Sequence, residues 1–421
     1  MGKSHRNFIL RIRRSPLFWF VTVCFFCTTM IFLMNVYVFS NPANATVKRD
    51  VQPFAGGLFK GAASLKMKFK HPVIADLNIN KKEAKPAKTN RRLVLQKRMA
   101  RLVSKLRVWH PNITKVMELQ YQIDKYLNGT EFISSQENTP LGSLYNDTFF
   151  NKSIVVDDAK RRLLPERSPF ASNKRYKTCA VVGNGGILRN SSCGPEIDEY
   201  DFVLRSNMQP LEGFEADAGS KVNFTTVSQS LMTTYRLLEN EKFVLNFTNL
   251  NITKFITALE KYGSSYLLWI PNSKVSNLAF EILQLVQETT KSKVMLFNSK
   301  HSQLIQQYLN LTQRSISTGM TLTSIAISLC DEIHLYGFWP FTFNYKGTNL
   351  PMHYTENLLW STYKKYHDFP SEFVQLIKLH YKGVLRLHVE ECYDDDGNND
   401  GYVGNNDKKA SNSNTMTVQQ G

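Results

Sequence analysis

The segment Cys179–Asp201, "CAVVGNGGILRNSSCGPEIDEYD", decides the fold of this chain. Three apolar residues run into the turn Gly183–Gly186, which predicts a strand that ends in a glycine turn. Such a turn lets the backbone approach a phosphate or a ribose closely, but Leu188 stands where a dinucleotide fingerprint requires its third glycine. By itself the segment therefore predicts a strand–turn–helix unit and leaves the ligand open.

Apolar runs of strand length recur between residues 136 and 392. They are Ala180–Val182, Phe202–Leu204, Tyr266–Ile270, Val294–Phe297 and Ile333–Tyr336. Helical periodicity over Asn277–Glu288 and Met320–Leu329 falls between them. Strands that alternate with helices predict a three-layer α/β sandwich with a mostly parallel sheet. Residues 136–392 are long enough to bury one core and are predicted to form the globular domain.

An uncharged stretch, Pro16–Phe39, lies near the N-terminus. At about 1.5 Å per residue, a helix of that length spans the roughly 30 Å hydrocarbon core of a bilayer. Residues 1–15 carry only basic charges, so they are predicted to be cytoplasmic and the chain after Ser40 luminal. A cleaved signal peptide is the alternative, but the apolar run is too long and no small-residue cleavage site follows closely. Cys24 and Cys27 lie inside this stretch without partner ligands, so they predict neither a metal nor a redox site.

Glycosylation sequons and cysteines agree with a luminal chain. Ten Asn-x-Ser/Thr sequons follow the apolar stretch: Asn44, Asn112, Asn128, Asn146, Asn151, Asn190, Asn223, Asn246, Asn251 and Asn310. Four cysteines remain outside the stretch, namely Cys179, Cys193, Cys330 and Cys392. An even set of four predicts two disulfides, with three possible pairings.

Residues 40–135 are predicted to form a luminal stem. Between Lys60 and Arg107, 15 basic residues stand against two acidic ones, which predicts a flexible, solvated segment as far as about Arg92. Nucleic acid is the other partner such charge suggests, but a luminal chain does not meet it. After Arg92, apolar residues recur at intervals of three and four over 95–109 and 116–126, which predicts two amphipathic helices. They either pair with another chain, giving a homodimer through the stem, or cap the globular domain.

The tail, residues 393–421, is polar and predicted to be disordered. Its segment "DGNNDGYVGNND" (396–407) has the oxygen-ligand spacing of a calcium loop. Asp407 replaces the usual final Glu, and no flanking helices are apparent. A solvated tail is therefore favoured over a calcium site.

The glycine segment resembles, nearly residue for residue, the large sialylmotif of the animal sialyltransferases. The resemblance continues through "DFVLRSN" (201–207) and "DAGSKVNFTT" (217–226), the small sialylmotif at 315–341, the short third motif "HYTE" (353–356) and the His-x4-Glu motif in "HDFPSE" (367–372). The strings "LYGFWPF" and "GNGGIL" look most like the α2,8-sialyltransferase branch. "QENTPLGSLYN" (136–146) resembles members that act on gangliosides or O-glycans.

The resemblance implies a Rossmann-like domain, a variant of the glycosyltransferase-A architecture, held in the Golgi membrane as a single-pass type II protein. It implies disulfides Cys179–Cys330 and Cys193–Cys392. It also implies inverting, single-displacement transfer of sialic acid from CMP-sialic acid to a sialylated glycolipid or glycoprotein, with no metal and no further cofactor. Transfer in α2,3 or α2,6 linkage, or a catalytically silent glycan-binding relative, are the alternatives.

Roles for individual residues follow from the same resemblance. His367 would be the general base, since an imidazole has an ordinary pKa near 6.5, and Glu372 would orient it or lock a turn. His353 would donate to the phosphate of CMP, assisted by Tyr354. The implied donor-binding residues are Asn184, Gly185, Asn207, Ser228, Ser317, Thr318, Gly319 and Trp339. Ser228 stands where the family usually has asparagine. The basic run Lys160–Lys177 either steers polyanionic acceptors or forms a solvated face.

Overall fold

The computed structural model describes residues 88–126, 131–146, 153–171, 175–228, 231, 238–239, 242–243, 250–263, 265–270, 278–290, 293–311, 316–356 and 367–392. The predicted membrane span at 16–39 and the polar tail with its calcium-like loop lie outside these ranges. Among the described residues, no helix combines the length and the apolar character needed to cross a bilayer.

Helices and strands alternate over most of the described chain. The helices are α1 (Lys88–Leu106), α2 (Ile113–Tyr126), α3 (Asp158–Arg162), α4 (Gly194–Glu199), α5 (Glu215–Ala218), α6 (Leu250–Glu260), α7 (Leu278–Thr289), α8 (Ser299–Tyr308), α9 (Thr318–Leu329) and α10 (Phe369–Tyr381). The strands are β1 (Leu144–Asn146), β2 (Ser153–Val155), β3 (Tyr176–Val182), β4 (Phe202–Arg205), β5 (Phe224–Ser228), β6 (Leu238–Glu239), β7 (Lys242–Phe243), β8 (Tyr266–Ile270), β9 (Lys293–Leu296), β10 (Cys330–Tyr336) and β11 (Arg386–Leu387).

Seven of the strands form one parallel sheet in the order β11-β10-β3-β4-β5-β8-β9. The chain builds outward from β3 to β9 on one side and then returns to lay β10 and β11 on the other. The topological switch point therefore lies between β3 and β10. In open α/β sheets, ligands bind beyond the carboxyl ends of the strands at this point.

Helices cover both faces of the sheet. Along β3, Val181 belongs to a core cluster that includes residues of α1, α2, α9 and α10, whereas Ala180 and Val182 belong to a second cluster with α4. Along β8, Leu268 faces the first cluster, and Leu267 packs with α6 and α7. This alternation follows from the two-residue period of a strand. It gives the three layers that the sequence predicts.

The apolar runs are confirmed as β3, β4, β8, β9 and β10, and the two helical patterns as α7 and α9. Strand β5 was not predicted, because its centre is Thr225-Thr226 rather than an apolar run. Both threonines are nevertheless fully buried. The two predicted disulfides, Cys179–Cys330 and Cys193–Cys392, are both formed.

The two amphipathic helices cap the domain. Met99 of α1 and Val116 of α2 are buried in the cluster that also holds Val181 of the central strand. The Gln120 side chain donates to the carbonyl oxygens of Ile327 and Cys330, at 2.8 and 3.2 Å. The packed unit therefore begins before residue 136, and the predicted boundary between stem and domain moves to the N-terminal side of α1.

Candidate active site

Two loops meet at the switch point. Gly183 N donates to Tyr336 O at 2.8 Å, and Gly185 N donates to Gly337 O at 2.9 Å. A Cβ atom at Gly185 would lie 2.3 Å from Gly337 O, so the turn after β3 accepts only glycine there without moving the turn after β10. The glycines of this turn thus bring two strand ends together; contact between Gly185 and a donor stays a prediction.

A third segment lies against the same turn. Tyr354 N donates to Asn184 O at 2.9 Å, and Gly185 and His353 form an isolated β-bridge. A Cβ atom at Gly186 would lie 2.2 Å from Pro351 O, so this contact also needs a glycine. The structure thus places His353 beside Asn184 and Gly185, although about 170 residues of sequence separate them.

His353 is largely buried, and burial lowers its pKa to about 4. The imidazole is therefore neutral at the pH of any secretory compartment and presents one N–H donor. Tyr354 is 1% exposed and packs edge-on against Phe214, with 5.3 Å between ring centroids. Burial raises the pKa of Tyr354 to about 12, so its phenol is also neutral.

Strand β4 ends in a turn that a buried threonine holds in place. Asn207 has a positive φ of 56°, a conformation that asparagine tolerates better than most residues. Its N–H donates to Thr226 Oγ1 at 2.8 Å, and Thr226 Oγ1 donates to Asn207 Oδ1 at 3.1 Å. Thr226 therefore sets the orientation of a predicted donor-binding side chain. Its signal in the sequence is a pair of threonines between apolar residues in "FTTVS". Ser228, at the end of β5, is buried.

The N-terminus of α9 is tied to that of α10. The Ser317 hydroxyl caps α9 by accepting from Met320 N at 3.1 Å. Ser317 N donates to Glu372 Oε1 at 2.7 Å, and Glu372, in the first turn of α10, is 4% exposed. Glu372 thus fixes the turn before α9, and its orienting of His367 stays a prediction.

His367 stands directly before Asp368, the N-cap of α10, and is half-buried. The Asp368 side chain accepts from Ser371 N at 3.2 Å. His367 therefore lies at the start of the helix that carries Glu372. The hydrogen bond from Ser317 to Glu372 joins this helix start to the start of α9.

Phe338 touches both the glycine turn and the start of α9. A Cβ atom at Gly183 would lie 3.2 Å from this ring, and one at Gly319 would lie 2.8 Å from it. Trp339, by contrast, is 4% exposed, and its ring N–H donates to Phe343 O at 2.9 Å. It packs edge-on against Phe373 in the core. The structure thus shows Trp339 in the core, and its role in donor binding stays a prediction.

The basic run around residues 160–177 lies away from this edge of the sheet. Tyr176 begins β3, so Arg175 lies at the amino ends of the strands, opposite the carboxyl ends that form the site. Arg175 pairs there with Asp331 at the start of β10, with 2.6 Å between Nε and Oδ1. Arg175 is thus part of a paired face, and acceptor steering by the rest of the run stays a prediction.

Comparisons with known proteins agree with the motifs. A family model described as glycosyltransferase family 29 (sialyltransferase) matches residues 126–384. Alpha-2,8-sialyltransferase 8F of Mus musculus is 35% identical over 271 residues, 62% of this chain and 65% of that protein. Alpha-2,8-sialyltransferase 8E of Homo sapiens is 31% identical over 294 residues, 68% of this chain and 75% of that protein. The match thus spans just under two thirds of the length of the first relative, at 65%.

One solved structure is the crystal structure of a mammalian sialyltransferase in complex with Gal-beta-1-3GalNAc-ortho-nitrophenol. It is 20% identical, covers 68% of this chain and 89% of its own, and superposes with a TM-score of 0.39. A score this low carries no weight for details of the fold. The family model, however, matches more than half of the chain. The chain therefore belongs to glycosyltransferase family 29, the sialyltransferases.

Proposed function

We propose that the protein transfers sialic acid from CMP-sialic acid to a sialylated glycan in α2,8 linkage. The observation that carries the proposal is the convergence at the switch point, where Asn184 and Gly185 of the first motif bond the segment that holds His353. Family membership supports the sugar donor, and the names of the relatives support the linkage.

Donor binding uses the carboxyl edge of the sheet. Asn184 and Asn207 follow β3 and β4 and would bind the nucleotide. The first N–H groups of a helix lack partners within the helix and attract anions. The start of α9 at Thr318 and Gly319, fixed by Ser317, would therefore bind the carboxylate or phosphate of the donor.

His353 would assist the departure of CMP. Because burial keeps it neutral before the donor binds, it would donate a hydrogen bond to the phosphate. The negative phosphate then favours a protonated imidazole, which strengthens this bond as charge develops on the leaving group. His353 and the α9 start thus stabilise the leaving phosphate in this proposal.

His367 would take the proton from the acceptor hydroxyl. The hydroxyl attacks the anomeric carbon from the face opposite CMP, so the configuration inverts in a single displacement. The acceptor would be a sialylated glycolipid or glycoprotein. The proposal includes a variant glycosyltransferase-A fold, a membrane span at 16–39 and a Golgi location with the catalytic domain in the lumen.

The test uses the full chain with CMP-sialic acid, EDTA and a panel of sialylated and asialo acceptors. Linkage analysis of the products by mass spectrometry should show α2,8-linked disialyl product on sialylated acceptors alone. His367→Ala should abolish transfer while CMP binding persists, and the exposed His110→Ala should leave transfer unchanged. Product on asialo acceptors would move the protein to α2,3 or α2,6 transfer, and full activity in His367→Ala would remove His367 as the base.

A further inference from the structure

A second cluster of titratable side chains lies away from the residues that the proposed transfer uses. Glu196 of α4, His334 of β10 and His388, which follows β11, each place a potential ligand atom within 4.8 Å of the others. His334 is 7% exposed and His388 is 9% exposed. On β10, His334 shares the α4-covered face of the sheet with Tyr336, two residues later.

The hydrogen bonds around His334 fix its tautomer. Glu332 Oε1 lies 2.8 Å from His334 Nε2, and a carboxylate can only accept, so the proton of the ring lies on Nε2. His334 Nδ1 therefore directs a lone pair at His388 Nε2, 2.8 Å away. A carboxylate behind a histidine is the usual support of a histidine that ligates a metal.

Without a cation, the remaining atoms oppose one another. His388 Nε2 must supply the hydrogen to His334, which leaves a lone pair on His388 Nδ1. That atom lies 3.8 Å from Glu196 Oε1, which already accepts from the Tyr336 hydroxyl at 2.6 Å. An ion bound at His388 Nε2 would move the ring proton to Nδ1, which would then face Glu196 Oε1 as a donor.

We propose that Glu196, His334 and His388 form a binding site for a divalent transition metal, best fitted by Zn²⁺. Two imidazoles and one carboxylate are ligands that zinc favours, and ligands about 2.0–2.2 Å from the ion lie about 3.3 Å apart in a tetrahedral site. The 2.8 Å between the two histidine nitrogens would therefore open by roughly half an ångström. The ion then replaces the shared proton as the partner of both rings.

The charges near the cluster permit a cation. Arg386 is the register partner of His334 on β11, and its guanidinium opposes the ion. Lys177 is a second cation near Glu332, and the carboxylates of Glu196 and Glu332 balance these two positive charges. Tyr336 stacks on His388, with 4.1 Å between ring centroids and 17° between ring planes, and holds that imidazole in place.

The position of the cluster suggests what the ion does. Glu196 follows Cys193 by three residues, and His388 precedes Cys392 by four. The ion would therefore join the same two segments that the Cys193–Cys392 disulfide joins. The site is a structural clamp on the C-terminal segment, and it is independent of the transferase activity.

The test is metal binding by the full chain after treatment with EDTA and dialysis. Calorimetric titration with Zn²⁺ should show one strong site per chain, and Co²⁺ should give the visible absorption of a tetrahedral site. Glu196→Gln, which keeps an acceptor for Tyr336, and His388→Gln should weaken binding at least tenfold. Glu332→Gln, behind the ligand, should weaken it about 10- to 100-fold.

The exposed His110→Gln serves as the control and should bind zinc as the native chain does. Zinc should also raise the melting temperature of the native chain but not that of Glu196→Gln. The Glu196 side chain is partly exposed, so we expect this variant to fold. Equal zinc affinity in the native chain and in both ligand variants would overturn the proposal. A native chain that binds no zinc at concentrations well above micromolar would also overturn the proposal.

Discussion

At the scale of single residues, the buried carboxylate of Glu372 positions the backbone at the start of another helix. It accepts from Ser317 N at 2.7 Å while lying in the first turn of α10. The start of α9 is the part that the proposed function assigns to the donor. Its position thus depends on a carboxylate from α10, which begins at Phe369, 51 residues after α9 begins at Thr318.

Glu372→Ala should impair both stability and donor binding. The substitution leaves a buried N–H without an acceptor, which costs roughly 1–3 kcal/mol in the free energy of unfolding. It also frees the start of α9, so the KM for CMP-sialic acid should rise. Chemical unfolding and donor titration measure the two effects. Glu372→Gln keeps an acceptor oxygen and should lose less of both; identical behaviour of the two variants would contradict the positioning role.

Asn223 illustrates a sequon that the fold uses for another purpose. Its Oδ1 accepts from Val203 N of β4 at 2.9 Å, and its backbone N–H donates to Val203 O. A glycan is attached at Nδ2, so Oδ1 can keep this bond in a modified chain. The side chain is half-buried and held between two strands, however, and we expect it to carry no glycan.

Asn223→Gln should leave unchanged the total glycan mass of protein expressed through the secretory pathway. It should lower the free energy of unfolding by about 1 kcal/mol, because a hydrogen bond is lost. Asn310→Gln is the matched control, because Asn310 is exposed and should account for one glycan. Mass spectrometry before and after enzymatic deglycosylation distinguishes the two. A glycan found on Asn223 would refute the expectation that this sequon stays unmodified.

At the scale of elements, α1 and α2 belong to the domain rather than to a flexible stem. Met99 is fully buried, and Leu102, Val103 and Leu106 are each 3% exposed or less. Arg107, just after α1, also pairs with Glu390 through its Nε and Nη2 atoms, at 2.7 to 3.0 Å. Most of that arginine is exposed, so the apolar contacts carry the stabilisation.

A fragment that begins at Gln136 should therefore fold poorly. Each fully buried large apolar side chain contributes roughly 1.5–3 kcal/mol, and the truncation removes several from one cluster. A fragment that begins at Val73 keeps both helices and should unfold cooperatively. Circular dichroism melting and gel filtration compare the two. Equal melting temperatures would show that the helices contribute little.

How far the sequence predicts each element depends on where the stabilising partners lie. Continuous apolar runs identify β3, β8 and β10, because strands buried on both faces need no alternation. Strand β5 escapes that rule, since its threonine hydroxyls are satisfied by the turn after β4. Motif resemblance selects Asn184 and His353, but the partners that hold the site, such as Thr226 and Glu372, become visible only when distant segments meet. The same holds for the histidine–glutamate cluster, whose members come from three separate segments.

At the scale of the whole molecule, buried neutral histidines link stability to pH. His301 and His380 are buried and His353 is largely buried, and burial lowers the pKa of each to about 4, against an ordinary value of 6.5. The unfolded chain therefore binds more protons than the folded chain between these limits. The stabilisation is complete above pH 6.5 and is lost as the pH falls toward 4.

The urea midpoint of unfolding should accordingly fall between pH 7 and pH 5. Each of these histidines contributes a slope of up to about 1.4 kcal/mol per pH unit, because one pKa unit corresponds to that free energy. The pKa of Glu332 is lowered by its bond to His334, so Glu332 also loses stabilising free energy as the pH falls, but only at lower pH. His301→Gln isolates one histidine outside the proposed site, since His301 packs between Phe132 and Phe297. That variant should be less stable at pH 7 but show a shallower pH dependence than the native chain. A midpoint that does not change from pH 7 to pH 5 in the native chain would mean that these imidazoles are already accessible to protons in the folded state.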